Sequence, residues 1–249
     1  MTAFAVGQGM PKVSNDRTEP LWENISERAR AVGFVGDSSE ARLHVVSPAV
    51  YILFHLVVVT LGILSMGFQL LASRLLSPHF GSSLIVWAWL ISTFLAAFSV
   101  GSLAGGWVSS LSSGPRARAL WVSAFVAVAT LAFTATLGRW SLGRIEEMFP
   151  NPGPALFLSC VGVFFLPVAA LSSFGPQCVQ YLAARGTPPG KASGLVYAVS
   201  TLGNIAGVML TAFVLIPHFR VSTLLFGWLA VAALSLACLL GLLLRPVAP

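Results

Sequence analysis

The chain has 249 residues, of which 56% are apolar and only 9% charged, with a formal net charge of +6. A soluble domain carries charge on about a quarter of its residues, so this composition excludes an ordinary soluble fold. The positive balance sits in a small charged population with no Lys/Arg run interleaved with aromatics, so it points to membrane topology signals and not to a nucleic-acid partner.

Residues 1–43 read as an extramembrane, cytoplasmic N-terminal arm. Six of the eight acids, Asp16, Glu19, Glu23, Glu27, Asp37 and Glu40, fall within it. Pro20 to Val32 suits a short amphipathic helix, with Pro20 in its first turn and Trp22, Ile25, Ala29 and Val32 on one face.

Residues 44–249 read as a six-helix transmembrane domain. A span takes about 20 apolar residues of helix. Six segments qualify: Pro48–Ser73, Ser83–Ser109, Ala119–Gly138, one beginning near Pro154, Ala192–Ile216 and Val221–Leu244. The fourth is irregular. Asn151 to Ala184 carries no charge; Pro167 should bend it and Gly175-Pro176 should break it. The remaining acids, Glu146 and Glu147, read as a solvated pair in a loop with Arg144, so no apolar span holds a carboxylate. Cys160, Cys178 and Cys238 are scattered and read as small apolar helix residues.

The basic residues set the orientation. With the N-terminus inside, the cytoplasmic segments hold Lys12, Arg17, Arg28, Arg30, Arg42, Arg116, Arg118, Arg185, Lys191 and Arg245. The outer loops hold only Arg74, Arg139, Arg144 and Arg220. This favours a bacterial-type inner membrane with both termini cytoplasmic. Trp87, Trp89, Trp107, Trp121 and Trp140 lie near span ends, as interfacial anchors do.

Two motifs recur. Leu71-Ala72-Ser73-Arg74 with Pro78 matches Leu182-Ala183-Ala184-Arg185 with Pro189, three residues separating Arg from Pro in each. Gly101-Ser102-Leu103-Ala104-Gly105 then matches Gly203-Asn204-Ile205-Ala206-Gly207. Each unit holds three spans, an odd number, so the second copy must be inverted across the membrane: two inverted three-helix repeats, half of a major-facilitator-like bundle. Ala97, Gly101 and Gly105 share one helical face, and Gly203, Gly207 and Thr211 another. Small residues at this spacing let backbones approach closely, and the two glycine helices are expected to form the bundle's centre.

Gly67-Phe68-Gln69-Leu70-Leu71-Ala72-Ser73-Arg74 through Ser83, with Val86-Trp87 and the two glycine motifs, resembles the membrane region of spermidine-synthase-like proteins. In that family a major-facilitator-like helical region precedes an aminopropyltransferase-like domain. The resemblance covers about residues 50–245. Gln69 stands where the family often has Glu, and Ser109-Ser110 where it often has Asp. No Gly-rich nucleotide loop and no diamine-binding carboxylates follow. The resemblance implies a membrane module; it does not imply synthase activity in this chain.

The candidate sites are few. Gln69 and Arg74 are candidates for solute or lipid contact near the outer end of the first span. Asn204, beside Ser200 and Thr201, either contacts a solute or hydrogen-bonds to the second span beside Ser99 and Ser102; the second role is expected. His55 is a weak candidate cofactor ligand. No metal or obligate cofactor is expected, although grooves between apolar helices admit lipid, quinone or pigment.

Three functions fit. The leading one is a non-catalytic subunit, structural or partner-binding, whose partners are lipids, other membrane subunits or a second copy of itself. The alternatives are a dimeric transporter of a small cationic or amphipathic solute such as a polyamine, and an anchor for a separately encoded aminopropyltransferase-like enzyme. None of the three makes the chain itself an enzyme.

Overall fold

A computed structural model describes residues 48–244. Among them the chain is helical without strands. Six helices are long and apolar enough to cross a membrane: α1 (Pro48–Phe80), α2 (Leu84–Ser109), α3 (Ser113–Met148), α4 (Pro152–Ala183), α5 (Pro189–His218) and α6 (Val221–Leu243). The described residues thus form an all-α domain of the kind that crosses a membrane. The N-terminal arm and the helix expected over Pro20–Val32 lie outside the described residues.

Turns of two to five residues join the six helices, so neighbours alternate in direction. The start of α1, the α2–α3 and α4–α5 turns and the end of α6 share one face, the proximal face. The other three turns share the distal face.

Two helices outrun their expected ends. α1 continues past Ser73 because Leu75 and Leu76 are buried against the bundle, which holds the last two turns in place. It stops at Gly81, whose φ of 73° lets its N–H reach the Ser77 carbonyl at 3.0 Å. α3 has 36 residues, at about 1.5 Å each far more than a bilayer core of about 30 Å requires. Its charged ends therefore stand in water. Glu146 and Glu147 lie in the last turns of α3 and not in a loop. Glu146 accepts from His79 of α1 at 2.6 Å, and Glu147 pairs with Arg144 at 2.9 Å.

α4 and α5 each contain a wide π-type turn, Cys160–Phe165 and Thr211–Leu215, each just before a proline, Pro167 and Pro217. A proline has no N–H for the carbonyl four residues back, and its ring crowds that carbonyl. The wider turn accommodates both effects. In α4 the carbonyl concerned is that of Val163, and Thr134 of α3 donates to it at 3.1 Å. Thr134→Val should therefore destabilise the bundle by about 1 kcal/mol, the scale of an interhelical hydrogen bond in lipid, read from unfolding in mixed micelles. The break in α4 falls at Ser173, slightly before the expected Gly175-Pro176. Pro176 is instead accommodated in the opening turn of Phe174–Ala183, where a missing N–H costs little.

α4 is the innermost helix: 56% of its apolar window is buried, against 17% for α5. α1 packs along α5, α2 and α3 against α4, and α6 against α1 and α3. Phe68 of α1 meets Phe94 of α2 and Phe164 of α4 at ring-centroid distances of 5.9 and 6.0 Å, joining three helices at one level. Trp228 of α6 donates its indole N–H to the Leu64 carbonyl at 3.1 Å. Gly67 makes room for it, since a Cβ there would meet the Trp228 ring at 2.5 Å.

A cavity between the two glycine helices

The glycine faces pack tightly, but not on one another. A Cβ on Gly101 would strike the Ala169 carbonyl and the Ser172 hydroxyl of α4, and one on Gly105 the Ser173 carbonyl. A Cβ on Gly203 would strike Val59 of α1, and one on Gly207 would lie 2.5 Å from the Ile63 carbonyl. The expected pairing of α2 with α5 at the centre is thus corrected: α2 packs on α4, and α5 on α1. The reason lies in the receiving helices, which present their own small residues. Gly62 of α1 lies against Gly203, and Ala169, Ser172 and Ser173 of α4 lie beneath the α2 glycines. Ala97 is fully buried on the same face of α2. Thr211 is fully buried beside Gly67, as its place on the α5 packing face predicts.

With their small faces turned away, α2 and α5 stand on opposite sides of a cavity of about 640 Å³, floored by α1 and α4. It lies toward the proximal face, where Ser109 ends α2 and Pro189 opens α5. Its polar groups are Ser65, Ser102, Ser109, Ser172, Gln180, Ser193, Tyr197, Ser200, Thr201 and Asn204. Leu61, Met66, Phe98, Leu171, Phe174 and Val196 supply apolar walls. Among the described residues, no carboxylate, imidazole, ammonium or guanidinium group lines it. Neutral hydroxyls and amides offer donors and acceptors to an uncharged polar group, and the walls accept hydrocarbon.

The candidate residues fare differently. Asn204 lines the cavity with Ser102, so the contact to α2 expected for it is replaced by a shared opening; Ser99 donates instead to Leu95 of its own helix, at 2.9 Å. Gln69 and Arg74 do not line the cavity, and Arg74 is exposed toward the distal face. Gln180 does line it, and it opens Gln180-Tyr181-Leu182-Ala183-Ala184-Arg185, the counterpart of Gln69-Leu70-Leu71-Ala72-Ser73-Arg74. His55 donates from Nδ1 to the Tyr51 carbonyl at 2.8 Å and packs edge-on against Phe54, leaving Nε2 buried without a partner among the described residues. No family model, curated protein or solved structure matches the chain.

The sequence reading passed over Gln177, as it did Gln180. Gln177 of α4 is 1% exposed; its amide donates to the Gly105 carbonyl at 2.6 Å and accepts from Arg116 Nε at 3.2 Å. It thus links α2, α3 and α4 beside the cavity mouth. The signal was present: Gln177 and Gln180 are the two glutamines in the uncharged run Asn151–Ala184, and an intramembrane amide is costly unless partnered.

Proposed function

We propose that the chain is a non-catalytic membrane module that holds a small amphipathic molecule between α2 and α5 and works by associating with a second copy or another membrane subunit. The observation that carries this reading is the cavity: uncharged polar groups facing each other across apolar walls. Its volume lies in the range of small-molecule sites, about 300–1,000 Å³. The lining favours an amphipathic, uncharged solute over a polyamine, since a buried cation calls for carboxylates or an aromatic cage.

The helix pairings support the inverted repeat. Exchanging the three-helix halves turns α1–α5 into α4–α2 and α1–α6 into α4–α3, and all four pairs are in contact. α1, α2, α4 and α5 line the cavity, so a second copy seated over its mouth would close it. The resemblance to the membrane region of spermidine-synthase-like proteins agrees with this arrangement. An inner-membrane setting with cytoplasmic termini follows from the basic residues, and it puts the cavity mouth toward the cytoplasm.

The test is photo-crosslinking in proteoliposomes with a diazirine-bearing fatty alcohol, with adducts mapped by mass spectrometry. Adducts should concentrate on cavity residues such as Ser102, Tyr197 and Asn204, and Ser102→Trp should suppress them. Labelled spermidine should show no flux above empty vesicles. Labelling spread evenly over lipid-facing positions such as Leu84 and Leu234, unchanged in Ser102→Trp, would remove the solute reading and leave a purely structural subunit.

A further inference from the structure

A second opening lies away from this cavity, between α3 and α6. It has a volume of about 400 Å³ and is lined by Thr134, Ala135, Thr136 and Arg139 of α3 and by Ser222, Leu225 and Phe226 of α6. Its depth in the bilayer follows from the sequence. Arg118 and Arg139 bracket twenty uncharged residues of α3, which at about 1.5 Å each match a hydrocarbon core of about 30 Å. Arg139 therefore stands at the headgroup boundary of the distal face. Exposed Trp140 beside it is an interfacial residue type, and Ser222 reaches the same level from the second position of α6.

The lining divides by chemistry. Thr134 shares its hydroxyl proton between the Thr130 and Val163 carbonyls, at 3.0 and 3.1 Å, and Thr136 donates to the Ala132 carbonyl at 2.7 Å. The remaining donors are the Arg139 guanidinium and the Ser222 hydroxyl, and neither has a side-chain partner among the described residues. The nearby carboxylates are already engaged, Glu146 with His79 and Glu147 with Arg144. Toward the membrane interior the groove becomes apolar, with Leu225 and Phe226 as its walls.

We propose that this groove is a phospholipid site: the lipid phosphate sits on Arg139 and Ser222, and an acyl chain lies along Leu225 and Phe226. A guanidinium fork matches a phosphate's oxygens, and the apolar wall below them has no use to a free anion. The site stands independently of the solute cavity.

The test is native mass spectrometry of the full chain titrated with dioleoylphosphatidylglycerol, beside dioleoylglycerol and inorganic phosphate. Wild-type protein should retain one phospholipid more tightly than the rest. Arg139→Gln should weaken that binding about tenfold, as loss of a charge-assisted hydrogen bond implies. Ser222→Ala should weaken it less, and Arg74→Gln, which removes a distal-face arginine outside the groove, should leave it intact. Equal binding of dioleoylglycerol would remove the phosphate's role. Full competition by inorganic phosphate would make the ligand a free anion and overturn the lipid assignment. Unchanged binding in Arg139→Gln, or an equal loss in Arg74→Gln, would leave only general attraction to a basic face and overturn the site. Should Arg139→Gln fail to fold by circular dichroism, Arg139→Lys and Ser222→Ala decide the question.

Discussion

Gly105→Ala should lower the thermal midpoint of the purified protein in detergent, whereas Gly106→Ala, one residue on, should raise it. The two substitutions add the same methyl group to the same helix. At Gly105 the new Cβ would strike the backbone carbonyl of Ser173, which cannot swing aside as a side-chain end can. α2 must then move off α4, and overpacking of this kind costs about 1–3 kcal/mol, sometimes more. At Gly106 nothing lies within 4 Å, and the change only removes the backbone freedom of a helical glycine, a gain of about 0.5–1 kcal/mol. Opposite signs at adjacent positions separate packing from helix propensity, which would favour alanine at both. Gly203→Ala should behave like Gly105→Ala because Val59 of α1 blocks it in the same way. The functional consequence follows from the same geometry: pushing α2 or α5 off its partner drives it into the cavity, so both variants should also lose crosslinking to the cavity residues.

What the sequence disclosed and what it withheld follow from range. Six helices fit to span were legible because a bilayer asks for long uncharged apolar runs, and the described residues hold six of them. Helix ends in water were not. α3 continues from Arg139 to Met148 on local helix-forming residues and an Arg144–Glu147 pair, neither of which the membrane requires. The glycine faces were legible as faces, because spacing along one helix fixes which residues align. Their partners were not, because small residues on α1 and α4 receive them and no local pattern says which of several small surfaces meets which. The cavity was hidden for the same reason. Ser102 and Asn204 are each visible as polar residues in an apolar span, but their facing one another depends on two other helices drawing α2 and α5 apart.

Gln177→Leu should be the most destabilising change that preserves side-chain bulk and introduces no clash. The side chain is buried, and both ends of its amide are used, on the Gly105 carbonyl at 2.6 Å and on Arg116 at 3.2 Å. Leucine keeps the packing and removes both bonds. A hydrogen bond to a charged group contributes about 1.5–3 kcal/mol in water-soluble proteins, whereas interhelical bonds in lipid average about 0.6 kcal/mol. The Arg116 arm lies near the proximal end of α3 and is only half-buried, so water can replace it in part. The Gly105 arm lies deeper, against the tightest α2–α4 contact, and its loss should dominate. The total should be about 1–3 kcal/mol, on that basis. A double-mutant cycle divides it: Gln177→Leu, Arg116→Leu and the pair, each unfolded in mixed micelles. A coupling of about 1 kcal/mol or less, well below the Gln177→Leu cost, would place most of the energy on Gly105. A coupling equal to the full cost would instead make Gln177 chiefly the anchor of Arg116. Gln177→Glu distinguishes these cases again. It keeps an acceptor for Arg116 but turns a carboxylate toward the Gly105 carbonyl, so it should be no better than leucine if the α2 arm dominates and near wild type if the arginine does. Because this tie holds the proximal end of α2 beside the cavity mouth, its removal should widen solvent access to Ser109, measurable by alkylation of Ser109→Cys.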